Sequence, residues 1–156
     1  MRVGPLRALP LLILCSACFG GASPAPTPTV PVSDAEAAAF SARITKFYDA
    51  LEGVPLDALV TYDNKELRDC FASPEGFTDY FSALATAARL EQFRYTTARH
   101  VQIKEFNFET PEDATVWVSF ISVNQRTLRF WSIHFDRLDA WHRGDDGVWR
   151  IVPAKL

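Results

Sequence analysis

The chain has 156 residues, 48% of them apolar and 22% charged, and carries a formal net charge of −3. That balance excludes a disordered or fibrous chain. The basic residues are scattered, which excludes the clustered footprint that binding a nucleic-acid backbone demands.

Residues 1–18 read as a signal peptide. Arg2 and Arg7 precede the short apolar run Leu9-Pro10-Leu11-Leu12-Ile13-Leu14, and the small residues Cys15-Ser16-Ala17-Cys18 follow. This order of positive, apolar and small is that of an export signal. The run falls short of the roughly 18 residues that span a bilayer. Ser16-Ala17-Cys18 resembles the end of a bacterial lipobox, although Cys15 stands where that pattern wants Leu. Lipidation at Cys18 and ordinary cleavage after Ala22 both remain open, and the short apolar run favours Cys18. Without Arg2 and Arg7 the exported part holds 14 basic against 19 acidic residues, a net charge of −5.

Residues 19–33 contain Pro24, Pro26, Pro28 and Pro31. This is an extended tether, about 35–40 Å long at roughly 3.1 Å per residue. It suits a domain held off a membrane by a lipid anchor.

Residues 34–156 form the folded domain. Ser33 with Glu36 makes a capping box. Phe40, Ile44, Phe47, Tyr48 and Leu51 recur at helical spacing, and Gly53 and Pro55 end the run, which predicts a helix over 34–52. Pro55 to Val60 predicts a short second helix, and 64–71 a further turn or two. Ser73-Pro74 starts a longer helix with the stripe Phe77, Phe81, Leu84 and Ala88, running to Leu90.

From Phe93 the apolar period changes to two. Val101 and Ile103 are out of phase with Phe106 and Phe108, which predicts a bulge near Lys104 or Glu105. The turn at 110–113 leads to a strand with Val116, Val118 and Phe120. A long strand is expected over 128–143, a turn at 144–147 and a closing strand over 148–152. Helices followed by an antiparallel meander make the fold class α+β.

The segments Phe47-Tyr48-Asp49-Ala50-Leu51-Glu52-Gly53, Leu56-Asp57-Ala58-Leu59 and Leu138 to Ile151, with its finish Asp146-Gly147-Val148-Trp149-Arg150-Ile151, occur in an order that resembles the nuclear transport factor 2-like, or SnoaL-like, superfamily. The resemblance covers 34–156. It implies N-terminal helices packed on a strongly curved four-stranded antiparallel sheet, a cone-shaped, cystatin-like roll around an apolar pocket. It also implies a small apolar ligand and a sheet face that supports homodimers. A strand of about 16 residues at roughly 3.3 Å each would itself be too long to stay flat in so small a domain.

Chemistry is sparse. Ser132, His134 and Asp136 alternate on one face of a strand, roughly 6.6 Å apart and parallel, so they do not converge as a triad. The opposite face, Trp131, Ile133 and Phe135, is read as the core side. His100, His134 and His142 are too dispersed to share a metal, and no metal or other cofactor is expected. Cys70 has no partner for a disulfide within the domain and reads as a small buried hydrophobe. Superfamily enzymes such as ketosteroid isomerase set a tyrosine on the first helix and acids in the cone. Here Phe47 occupies the tyrosine position and Tyr48 is its neighbour, expected at the core edge. Tyr48, Trp117, Trp131, His134 and Asp136 are the candidate pocket residues. The sequence thus points to an envelope-anchored or periplasmic binding or interaction module without catalysis. A cofactor-free isomerase, dehydratase or cyclase on an apolar substrate is the alternative, and a buried carboxylate or histidine would separate the two.

Overall fold

The computed structural model describes residues 32–126 and 131–153. The expected signal peptide, lipidation site Cys18 and most of the tether lie outside the described residues. Among the described residues no helix is long and apolar enough to cross a membrane.

Helices come first. The α1 helix, Asp34–Asp49, starts at Ser33, whose hydroxyl accepts from the Glu36 N–H while Glu36 reaches back to the Ser33 N–H. Two single-turn helices follow, α2 over Leu59–Tyr62 and α3 over Lys65–Arg68. The α4 helix, Pro74–Leu90, is capped by Ser73. The second helix begins later than predicted. Pro55 pairs with Thr97 and the Leu56 N–H donates to the Thr96 carbonyl, so this stretch is tied to the 96–97 segment and turns at Leu56 and Asp57 before α2 can start.

The strands β1 (His100–Phe108), β2 (Asp113–Val123), β3 (Ser132–Arg143) and β4 (Trp149–Val152) form one antiparallel sheet in the order β1-β2-β3-β4. The fold is α+β. Register shifts between Ile103 and Glu105, where the change of parity predicts a bulge. The shift matters because it keeps both halves of β1 facing inward. Val101 and Ile103 lie opposite Phe120 and Val118, and Phe106 and Phe108 lie opposite Val116 and Ala114.

The core lies between the helices and this inner face. Phe40, Ile44, Phe47, Tyr48 and Leu51 of α1, with Phe77, Tyr80, Phe81 and Leu84 of α4, bury against Val116, Val118, Phe120, Trp141 and Ile151. Phe40 alone makes ring contacts with Phe106, Phe108, Trp141 and Trp149, at centroid distances of 4.6–6.0 Å. Such aromatic pairs add about 0.5–1.5 kcal/mol each beyond the area they bury.

Two expectations change. β3 has 12 residues rather than about 16. The part predicted at 128–130 lies outside the described residues, and the length that argued for bending shrinks to about 40 Å. The sheet is not strongly curled. Trp131 sits at a bend before β3 and is 57% exposed, whereas Ile133 and Phe135 pack against the core. The β2–β3 ladder begins at the pair Val123 and Ser132, so strand alternation does not reach Trp131.

Candidate functional site

Inner-face parity on β3 runs through Ile133, Phe135, Arg137, Asp139 and Trp141. Two charged residues therefore enter the core side by side. Arg137 lies opposite Val118 and Asp139 opposite Val116. The Asp139 side chain is 1% exposed. A buried carboxylate is costly unless it is paired and hydrogen-bonded, and both conditions are met here. Its Oδ2 accepts from the Tyr48 hydroxyl on α1 and the Tyr80 hydroxyl on α4, each at 2.8 Å. Its Oδ1 accepts from Arg137 Nε at 2.5 Å. The Arg137 guanidinium also lies over the Tyr80 ring, 4.4 Å from its centroid, in cation–π geometry.

This node joins α1, α4 and β3 through one carboxylate. Burial, reinforced by the negative charge of Asp139, pushes both tyrosine hydroxyls well above their ordinary pKa, so both stay protonated and donate. For Arg137, burial pulls the pKa down and the adjacent Asp139 more than offsets it, so the guanidinium is held charged. The indole N–H of Trp141, whose ring packs against that of Tyr48, is buried without a hydrogen-bond partner.

Chemically the node is a buried, hydrogen-bonded ion pair. A general base needs a lone pair facing the proton it removes. Both oxygens of Asp139 are engaged, and Tyr48, Tyr80 and Asp139 are all at most 2% exposed.

Open space lies elsewhere. A cleft of about 560 Å³ is lined by Arg43 of α1, Arg68 of α3, Asp69, Phe71 and Ala72 of the following segment, and Val148 and Arg150 at the β4 hairpin. A smaller cavity of about 160 Å³ adjoins it, beside Phe47, Leu67 and Cys70. Neither is lined by Tyr48, Tyr80 or Asp139. The floor of the large cleft is fixed by backbone bonds. The Ile151 N–H donates to the Cys70 carbonyl, Phe71 pairs in parallel with Ile151, and Arg43 Nη2 donates to the Asp69 carbonyl at 2.8 Å.

The residues singled out in the sequence are not brought together. Tyr48 is fully buried in the node rather than at the core edge. His134 and Asp136 are exposed on the outer face of β3, turned away from the helices. Trp117 is 42% exposed on the outer face of β2 and Trp131 lies outside the ladder. The residues that sequence reasoning passed over are Asp139, Arg137 and Tyr80. Their signal was present, because Arg137 and Asp139 share the odd-numbered parity of Ile133, Phe135 and Trp141. Among the described residues no group of three or more histidine, cysteine or acidic side chains is placed to hold a metal ion.

No protein-family model matches the chain, and neither a curated protein nor a solved structure is found to be similar to it.

Proposed function

We propose that this chain is an exported, envelope-anchored binding or interaction module without enzymatic activity, built on a nuclear transport factor 2-like domain. The observation that supports the non-catalytic reading most is the engagement of both Asp139 oxygens. Asp139, the buried carboxylate of the core among the described residues, is engaged by Tyr48, Tyr80 and Arg137, and none of Asp139, Tyr48 and Tyr80 lines either cleft. Ligand contact is then expected at the cleft between α1, α3 and β4, which gathers side chains from separate elements as binding sites do. The superfamily assignment rests on the motif order together with helices laid on one face of a four-stranded meander. The deeper cone belongs to the proposal and needs more curvature than the sheet displays.

Anchoring through a diacylated Cys18, with residues 19–33 as spacer, follows from the sequence. Mass spectrometry of the mature N-terminus tests it: diacylglycerol on Cys18 supports the anchor, and a free terminus at Ser23 refutes it. A homodimer through the outer sheet face is part of the same reading. Trp117 and Leu138, the latter 65% exposed, are register partners on that face, with Val152 also exposed there. Sedimentation of the parent and Leu138→Glu tests the dimer.

The alternative, a cofactor-free isomerase, dehydratase or cyclase, would draw on the Tyr48–Asp139 pair. It requires the node to open and Asp139 to exchange a tyrosine for substrate.

A further inference from the structure

Arg43 is the least compensated charge bordering the large cleft. Its Nη2 donates to a backbone carbonyl, its Nε is buried without a hydrogen-bond partner, and it forms no ion pair with any described carboxylate. A half-buried guanidinium with neutral partners alone sits in a field that favours an added anion. Two other arginines line the cleft and offer further guanidinium donors, each beside an aspartate partner. Arg68 reaches Asp63 only at 3.5 Å, and that aspartate side chain is 85% exposed. Arg150 is held by Asp146 through two bonds at 2.9 and 2.6 Å, which fixes its position at the rim. One acid, Asp69, lines the same space, and Arg68 and Arg150 each have an aspartate partner of their own, so Arg43 is the lining arginine left without a carboxylate. Phe71, Ala72 and Val148 supply an apolar wall.

We propose that this cleft takes the carboxylate of a small organic acid, with the head group among Arg43, Arg68 and Arg150 and a short apolar tail on Phe71 and Val148. The inference rests on the binding reading above and gives it a ligand class. It departs from the purely apolar ligand that the superfamily resemblance implies. The carboxylate supplies the counter-charge that Arg43 lacks, and its planar pair of oxygens suits guanidinium donors. The tail removes apolar surface from water, and Asp69 disfavours ligands carrying a second negative charge nearby.

Calorimetric titration of the mature chain with hexanoate, its neutral isostere hexanamide and inorganic phosphate tests the assignment. Amide-proton shift mapping on the same samples locates binding. Hexanoate is expected to bind, with shifts at Arg43, Arg68–Ala72 and Val148–Arg150. Hexanamide and phosphate are expected to bind at least tenfold more weakly. Arg43→Gln should weaken hexanoate at least tenfold. Arg43 also caps the Asp69 carbonyl, so Arg68→Gln serves as a second variant free of that structural role and should weaken binding severalfold. Hexanamide binding as tightly as hexanoate would overturn the anion site while leaving a binding cleft in place. Phosphate binding as tightly would overturn the tail contact. Shifts confined to other parts of the domain, or no binding by any probe, would remove both the anion site and the cleft as the place of binding.

Discussion

Asp139→Asn separates a structural node from a reactive one. With the amide oxygen in the place of Oδ2, both tyrosine hydroxyls keep their acceptor. The amide nitrogen then faces Arg137 Nε, donor against donor, and the guanidinium loses its counter-charge. With the amide turned over, Arg137 keeps an oxygen and the two hydroxyls lose theirs. Breaking a buried ion pair by removing one partner costs about 3–5 kcal/mol, and a buried hydroxyl left without a partner about 1–3 kcal/mol. The variant is therefore expected to lose roughly 2–5 kcal/mol, a large share of the 5–15 kcal/mol typical of a domain this size. Tyr80→Phe keeps the ring under Arg137 and removes one hydrogen bond to a charged acceptor, at about 1.5–3 kcal/mol. Because the two changes act on one network, the double variant should fall short of the sum by about 0.5–3 kcal/mol. Urea denaturation followed by tryptophan fluorescence near neutral pH measures all four proteins. Single variants that both stay within about 0.5 kcal/mol of the parent, with effects that add, would behave as surface sites and show that no coupled network joins Asp139 and Tyr80.

Three further outcomes follow from the same geometry. Asp146 is held at a pKa of about 2, against a reference of 3.8, chiefly by its hydrogen bonds from Arg150 and then by the Val148 N–H. Its contribution is complete above the unfolded value and fades as pH falls toward 2, so its carboxyl carbon should titrate near 2 by NMR, and a midpoint near 3.8 would deny the hairpin ion pair. Ser33→Ala should cost about 1 kcal/mol of stability in chemical denaturation, since it removes the acceptor for the Glu36 N–H, and an unchanged midpoint would show that the helix start is not held by the capping box. Burial pushes the Cys70 thiol pKa up, so a disulfide reagent should label it no faster than the domain unfolds, and rapid labelling of the native protein would contradict its burial.

Much of the frame was legible in the sequence because it follows from periodicity and punctuation. The stripe from Phe40 to Leu51, the caps Ser33 and Ser73, and the parity slip between Ile103 and Phe106 each have a local cause. The second helix shifted because Thr96 and Thr97, about 40 residues downstream, pin the chain at Pro55 and Leu56. No local signal carries that. The node was missed for another reason. Parity alone places Arg137 and Asp139 inside, but a charged pair at core positions makes sense only once Tyr48 and Tyr80, from two helices, are known to meet it. His134 and Asp136 drew attention by residue type, although their parity sets them outside. The cleft was invisible because Arg43, Arg68 and Arg150 are far apart in sequence and converge only through the 69–72 segment lying along β4.

At the Asp139 node Tyr48, Tyr80 and Asp139 are sealed from solvent, and the proposed binding role places ligand contact at the surface instead. The most direct measurement is proton NMR of the tyrosine hydroxyls in the mature protein at neutral pH. Two downfield hydroxyl resonances, assigned to Tyr48 and Tyr80, are expected, exchanging slowly with water and vanishing in the Asp139→Leu variant. Hydroxyl protons exchanging too fast to observe in the parent would mean that the node opens readily, and the case against catalysis there would fall.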